Sequence, residues 1–119
     1  RTSPKSMKSK YNNKKTVVDG VRFDSEMEAE RYLSLKLMQR GGVIQNLTLQ
    51  PRFEIHPKFK HNGTTHKRIS YVADFQYEED GKTVVEDVKG KETDVYRMKK
   101  KMFLYQYGDK IQFREIKNI

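Results

Sequence analysis

Asp74, Asp87 and Lys89 are the residues of this chain whose types and spacing could do chemistry. If Asp80-Gly81 forms a two-residue hairpin turn, the strands on either side pair so that Asp74 faces Asp87. Their Cβ atoms would then lie about 4.5 to 5.5 Å apart on one face of the sheet. Lys89 follows Asp87 by two residues and is expected on the same face. The sequence thus predicts two neighbouring carboxylates beside one ammonium group.

Such a carboxylate pair needs compensating positive charge. Two ionised carboxylates at this separation repel by roughly 3 kcal/mol at an effective dielectric constant of about 20. Lys89 supplies one positive charge, and a proton or a bound Mg²⁺ or Mn²⁺ ion would supply the rest. The alternative is a solvated charge cluster on an exposed sheet face. Val72 and Val85 are expected on the same face, which favours a crevice, whereas Glu86 is expected on the opposite face.

The first element that must position this site is a helix over residues 25–40, "SEMEAERYLSLKLMQR". The segment contains good helix formers, and Ser25 followed by Glu28 is typical of a capping box at a helix start. Gly41-Gly42 is expected to end the helix. We therefore predict that the carboxylate pair lies beside a helix that begins at Ser25.

Three strands are predicted after this helix, with Asn62-Gly63 and Asp80-Gly81 as hairpin turns between them. Pro51 and Pro57 should keep the first strand at an edge or bend it. Tyr71, Phe75 and Tyr77 would share one face of the second strand and are expected to pack in the core. The predicted strands lie within residues 43–59, 68–77 and 82–89.

A second helix is predicted from about Thr93 to Gly108, followed by a short strand over residues 110–116. Its apolar stripe would contain Val95, Met98, Met102 and Tyr105. The resulting order is helix, three-stranded meander, helix, strand, which is an α/β (α+β) fold.

Composition sets broader limits on the protein. The chain has 119 residues and a net charge of +9. It has no cysteine, so disulfides and thiolate zinc sites are excluded and a cytosolic setting is expected. Residues 1–15 hold six of the 25 Lys and Arg and no acid, and we predict that they form a disordered basic arm attracted to polyanions. Residues 16–119 are predicted to form a single domain, and no membrane span is expected.

The order of elements and the Asp, hairpin, Asp-Val-Lys pattern resemble the metal-dependent PD-(D/E)XK nuclease superfamily. The segments "FDSEMEAERY", "YVADF", "VVEDVKG" and "T..Y..KKK.F" resemble more closely a phage-encoded family of Holliday-junction-resolvase-like endonucleases in that superfamily. The resemblance covers roughly residues 11–117. Ala73 replaces the proline of the family's Pro-Asp motif. A restriction-endonuclease-like core is implied, as is a phage- or prophage-encoded protein of the bacterial cytoplasm.

The resemblance also implies the catalytic residues, which are Glu28, Asp74, Asp87 and Lys89. The three acids would hold one or two Mg²⁺ (or Mn²⁺) ions for phosphodiester hydrolysis, and Lys89 would stabilise charge or position water. The capping box explains Glu28 without chemistry, so both interpretations of this residue stay open. His56, His61 and His66 lack the spacing of metal ligands and are expected at the surface.

DNA, branched in the resolvase interpretation, is the expected partner, and a homodimer would make paired cuts. The alternatives are a non-catalytic DNA-binding module and a nuclease of the same fold that acts on linear or single-stranded DNA. Basic residues on the second helix, near its start and in the arm could contact phosphates, although a charge run on a helix is often only its solvated face. The candidates are Lys91, Arg97, Lys99, Lys100, Lys101, Lys14 and Lys15.

Overall fold

The computed structural model describes residues 15–117, which form a mixed α/β fold with two helices and several antiparallel strand pairs. The predicted mixed class is confirmed. The predicted disordered arm, including Lys14, lies outside the described residues apart from Lys15. In chain order, the elements are β1 (Thr16–Val18), β2 (Val21–Phe23), α1 (Glu26–Arg40), β3 (Gln45–Leu49), β4 (Arg52–His56), β5 (Phe59–His61), β6 (Thr64–His66), β7 (Ile69–Val72), β8 (Phe75–Glu79), β9 (Lys82–Val88), α2 (Asp94–Tyr107) and β10 (Gln112–Ile116).

A four-stranded sheet in the order β10-β9-β8-β3 carries the site. Strand β8 is antiparallel to both β3 and β9, as a meander requires, and β10 is parallel to β9. Parallel neighbours need a crossover connection, and α2 provides it. The predicted order of helix, meander, helix and strand therefore describes the path of the chain through this sheet.

The segment between β3 and β8 is one long hairpin that is bent twice. The β3–β8 ladder is followed by the β4–β7 ladder and then by the β5–β6 ladder, whose tip is the turn at Asn62-Gly63. The bends follow Pro51 and Pro57, because a proline cannot donate to the ladder. The predicted bent first strand and the predicted turn are both confirmed.

The predicted single strand over residues 68–77 is wrong, because the chain forms β7 and β8 with a break at Ala73-Asp74. The break also interrupts the alternation of faces. Ala73 packs with Tyr71 in one core cluster, whereas Phe75 packs in the other. Tyr71, Phe75 and Tyr77 are buried as predicted, but they do not share a face.

The β8–β9 hairpin has the predicted register. Glu79 pairs with Lys82, and the pairing continues to Phe75 and Glu86. Asp80 and Gly81 have φ angles of 53° and 76°, which is the left-handed pair that a two-residue turn of type I′ requires. The turn residues therefore fix which side chains of β9 face each helix.

Helix α1 covers one face of the sheet. Its N-cap is Ser25, whose hydroxyl oxygen accepts the backbone N–H of Glu28 at 3.1 Å, and its C-cap is Gly41. Both predicted ends are confirmed. We call the cluster beneath α1 the first core; its buried members are Phe23, Ala29, Tyr32, Leu35, Ile44, Phe75, Tyr77, Val84 and Val88.

Helix α2 covers a second cluster, but not with the predicted stripe. Val95 and Met98 are each 56% exposed and Tyr105 is 91% exposed, whereas Phe103 is fully buried. Of the predicted stripe, Met102 does pack against this cluster, but the buried face is formed mainly by aromatic residues, with the Phe103 ring 4.8 Å from the rings of both Phe53 and Tyr71. We call this cluster the second core; its buried members are Ile55, Tyr71, Ala73, Val85 and Phe103.

Strands β1 and β2 form a small hairpin that the sequence reasoning missed. Its signal was Asp19-Gly20, a turn dipeptide with φ angles of 53° and 78°. Val18, Val21 and Phe23 of this hairpin pack against the first core. No helix among residues 15–117 is long and apolar enough to cross a membrane.

Candidate active site

Asp74 lies in the break between β7 and β8. Its backbone N–H donates to the Glu86 carbonyl at 3.1 Å, and its carboxylate accepts the Val88 backbone N–H at 2.7 Å. The predicted cross-strand pairing of Asp74 with Asp87 is not formed, because the ladder ends at Phe75. The hydrogen bond between the Asp74 carboxylate and the Val88 N–H instead anchors Asp74 to the end of β9.

Glu28 of α1 forms a hydrogen-bonded carboxyl pair with Asp74. Glu28 is only 7% exposed. Burial, and then the nearby charge of Asp74, raises the pKa of Glu28 well above its usual range. Burial also raises the pKa of Asp74, although the Val88 N–H and the Lys89 charge oppose the shift. Both shifts favour a proton on the pair, in the absence of a bound cation.

Asp87 is 1% exposed and lies on the side of the second core. The Tyr71 hydroxyl donates a hydrogen bond to its carboxylate, and the Lys89 ammonium lies 3.8 Å from the other carboxylate oxygen. Burial raises the pKa of Asp87 to about 7; Lys89 opposes this rise, and the charge of Glu115 adds to it. The predicted placement of Asp87 and Lys89 on the same side is confirmed.

Lys89 is positioned by three elements. Its backbone N–H donates to the Ile116 carbonyl at 3.0 Å, and its ammonium lies 4.2 Å from the centre of the Tyr96 ring. The Tyr96 hydroxyl donates to Glu115, which also binds Lys100 at 2.7 Å. The charge of Lys89 opposes the rise in the pKa of both aspartates, so its ammonium acts on both carboxyl groups.

Three residues of this arrangement were missed as site residues. They are Tyr71, Tyr96 and Glu115. Tyr96 does belong to the "T..Y..KKK.F" segment, so its signal was present in the sequence. Tyr71 was expected only in the core, and its hydroxyl group, which needs a partner when buried, was the available signal.

Glu86 lies on the other side of the sheet, as predicted, and is fully buried. Arg31 binds it with two hydrogen bonds of 2.9 and 2.6 Å, and the Tyr77 hydroxyl donates to it as well. Bidentate pairing satisfies the carboxylate, so Glu86 has the contacts of a structural ion pair. This carboxylate does not contribute to the candidate site.

The sequence pattern of one protein family matches residues 8–118, and that family is described as "Protein of unknown function (DUF1064)". The chain belongs to this family. The matched region includes Glu28, Asp74, Asp87 and Lys89, so the whole candidate site lies within the DUF1064 region. No curated protein matches the chain.

The carboxylate oxygens of this DUF1064 site are suitable ligands for a divalent cation, but the acids are only partly arranged to bind one together. Within residues 15–117, no group of three or more His, Cys, Asp or Glu side chains is placed to hold a metal ion. Glu28 and Asp74 form a pair of oxygen donors, and Mg²⁺ is commonly held by one or two carboxylates with waters and phosphates. Asp87 lies apart, on Tyr71 and Lys89. The carboxyl pair is therefore the part of the site that fits Mg²⁺ or Mn²⁺.

Of the six described basic residues predicted to contact DNA, three are paired with acids. Arg97 binds Asp94 and approaches Glu92 at 3.8 Å, while Lys100 binds Glu115 and Lys15 lies 3.4 Å from Asp24. Such pairing partly neutralises these side chains and so weakens their attraction to phosphate. Lys101 and Lys91 are exposed, and Lys99 lines a separate groove. The three histidines are exposed or half-buried and belong to no metal cluster among the described residues, in agreement with their predicted surface position.

Proposed function

We propose that this protein is a Mg²⁺- or Mn²⁺-dependent endodeoxyribonuclease that hydrolyses phosphodiester bonds in branched DNA, in the manner of a Holliday junction resolvase. The observation that carries the proposal is the grouping of buried Glu28, buried Asp87 and half-buried Asp74 around one lysine whose charge acts on both aspartates. Buried acids with raised pKa values and a specific charged neighbour are typical of functional sites.

The residues of the site would divide the work as follows. Glu28 and Asp74 would hold a divalent cation, which supplies Lewis-acid stabilisation of a phosphate when bound. Lys89 keeps its ammonium beside Asp87 and over the Tyr96 ring, and it would stabilise negative charge that develops on the phosphate. Asp87, whose pKa is about 7, would accept a proton from the attacking water near neutral pH.

The finer structural part of the proposal is a restriction-endonuclease-like core. The order α1, β3-β8-β9 meander, α2 and β10 supports it, because that superfamily's core is expected to run helix, three strands, helix, strand. Paired cuts in a four-way junction would require two sites related by symmetry, so we propose a homodimer. The branched substrate rests on the sequence resemblance.

A four-way junction assay tests the function. Labelled junction and a linear duplex of matched sequence are incubated with the protein in Mg²⁺, in Mn²⁺ or in EDTA. We expect metal-dependent cutting of the junction that Lys89→Ala abolishes and Lys82→Ala retains. Lys82 is a matched control, because it is an exposed lysine at the opposite end of β9, outside the site. Equal cutting of linear or single-stranded DNA would keep the nuclease and reject the branched specificity.

The second candidate is a non-catalytic DNA-binding module. It is favoured by the absence of a three-acid cluster among residues 15–117. It is also favoured by the hydrogen bond from the Tyr71 hydroxyl, which engages one carboxylate oxygen of Asp87. Calorimetric titration with Mn²⁺ discriminates the two functions. Metal binding that Glu28→Gln weakens supports the nuclease, whereas DNA binding without metal binding or cutting supports the module.

A further inference from the structure

A groove of about 710 Å³ lies on the long bent hairpin, away from the basic face of α2 that the sequence had favoured. Strands β4 and β7 supply most of its lining, the connections to β5 and β6 at one end of the ladder supply the rest with Lys99, and Lys99 reaches the groove from α2. Five of its lining residues are cations and one is an acid. The cations are Arg52, Lys58, Lys67, Arg68 and Lys99, and the acid is Glu54.

These cations are available for a ligand. Four of the five are exposed and Lys99 is half-buried. Within residues 15–117, none of the five has a hydrogen-bonded or ion-paired acid, and Glu54 lies beyond ion-pair distance of all of them. Arg97 and Lys100 of α2, by contrast, are bound to acids of their own. Unneutralised cations that line a concave surface produce a positive field that attracts polyanions.

The size of the groove suits a chain of phosphates. Its lining runs from Arg52 at the start of β4 to Lys58 just beyond its end, a stretch that spans at most about 20 Å when extended. Duplex DNA carries one charge for about every 1.7 Å of its axis, so this length accommodates several phosphates. A positively charged groove is also the form that follows a nucleic-acid backbone, whereas a lipid surface is flat.

The groove ends beside the candidate site. Val72 lines it and lies two residues before Asp74. The neighbouring segment is fixed to the strand break by two backbone hydrogen bonds, from Ala73 to the Pro51 carbonyl at 3.0 Å and from Gln50 to the Asp74 carbonyl at 2.9 Å. A backbone lying in the groove would therefore reach the chain segment that carries Asp74.

We propose that this groove binds the phosphate backbone of DNA and directs it to the carboxylate site. The identity of the polyanion as DNA rests on the proposed nuclease function. The groove replaces the basic face of α2 as the main phosphate-binding surface, and Lys99 is the residue common to both.

The test measures binding separately from cutting. Anisotropy titrations of labelled duplex and four-way junction are made in EDTA, at salt concentrations from about 50 to about 200 mM. The groove variant is Arg52→Ala/Lys67→Ala/Arg68→Ala. The control, Lys82→Ala/Lys101→Ala/Lys110→Ala, removes the same charge from exposed lysines outside the groove, and one of them lies on α2. Circular dichroism melting verifies that both variants fold.

We expect the groove variant to bind both DNAs at least about tenfold more weakly, while the control stays close to the wild-type protein. The slope of log K against log salt should fall by about 0.9 for each phosphate contact that is lost. Equal weakening of both variants would overturn the proposal in favour of general charge attraction. Wild-type protein that binds no DNA would also overturn it. So would a groove variant that keeps its DNA binding and loses only its binding to anionic lipid vesicles.

The outcome is distinct from that of the cutting assay. A groove variant that binds and cuts like the wild-type protein rejects the groove and leaves the nuclease intact. Groove-dependent binding by a protein that cuts nothing in Mg²⁺ or Mn²⁺ rejects the nuclease and leaves the groove.

Discussion

The Tyr71 hydroxyl donates a hydrogen bond to the Asp87 carboxylate, and this bond links strand β7 of the bent hairpin to the site strand β9. The Tyr71 ring lies 4.8 Å from the ring of Phe103, so α2 fixes the position of the tyrosine. One side of Asp87 is thus held by the second core, and Lys89 occupies the other. The packing of α2 therefore controls the environment of the site.

Tyr71→Phe should destabilise the protein and change the site. The ring contact with Phe103 is kept, but the buried carboxylate loses a donor, which typically costs about 1.5 to 3 kcal/mol when the acceptor is charged. Because the hydroxyl favours ionised Asp87, its loss should shift the acidic limb of a cutting rate profile to higher pH. Tyr77→Phe is the control, since it removes a similar bond to Glu86. Urea unfolding and rate profiles measure both effects; equal profile shifts would contradict the assignment.

Glu28→Gln separates the two roles of Glu28. The cap depends on the Ser25 hydroxyl and the backbone N–H of residue 28, which the substitution keeps. We expect little loss of stability together with weak Mn²⁺ binding and no cutting. Ser25→Ala should do the reverse, with a loss of about 1 kcal/mol in the free energy of unfolding and normal metal binding. Calorimetry and urea unfolding measure these quantities, and a Glu28→Gln protein with normal metal affinity would show that the residue is only structural.

The metal-free protein should lose stability as pH rises through about 7. Folding raises the pKa of Asp87 from 3.8 to about 7, so the folded state binds a proton more tightly than the unfolded state between these values. The resulting stabilisation is complete below the unfolded pKa and is lost as pH rises through the folded pKa. Melting temperatures in EDTA should therefore fall across this interval, and more shallowly for Asp87→Asn. Parallel curves for the two proteins would refute the assignment.

Arg31→Met should be strongly destabilising without a direct effect on the site. The substitution leaves the fully buried Glu86 without its bidentate partner, and breaking a buried pair typically costs about 3 to 5 kcal/mol. Adding Glu86→Gln should recover part of the loss, because the unpaired charge is removed. Urea unfolding of the single and double variants tests this, and a double variant no more stable than Arg31→Met would contradict it.

Alanine substitutions on α2 test which face of the helix is buried. Phe103→Ala should cost about 3 to 5 kcal/mol, because the side chain is fully buried among aromatic rings. Met98→Ala should change the free energy of unfolding by less than about 0.5 kcal/mol, since Met98 is more than half exposed. Comparable losses in the free energy of unfolding for the two variants would instead support the apolar stripe predicted from periodicity as the buried face.

Local signals in the sequence predicted the turns, caps and element order well. Asp80-Gly81 fixed the register of β8 and β9, Ser25 capped α1, and Pro51 marked a bend. Each of these depends on a backbone preference of one or two residues. The placement of Lys89 beside Asp87 followed from the alternation of side chains along one strand.

Strand parity could not predict the arrangement at Asp74. The break at Ala73-Asp74 moves the following side chains to the other face, so Asp74 pairs with Glu28 of α1 rather than with Asp87. The face of α2 was also unpredictable from periodicity, because both of its sides carry apolar side chains. Which side is buried depends on the position of the Tyr71 and Phe53 rings.

The parallel strand β10 closes the site from the end of the described chain. Its Ile116 carbonyl accepts the Lys89 N–H, and its Glu115 holds Tyr96 and Lys100. Proteins fold from the N-terminus during synthesis, and pairing of distant parallel strands is slow. A nascent chain whose β10 segment is still inside the ribosome lacks these contacts. The lysine is therefore fixed in place only after this last strand has been synthesised and has docked.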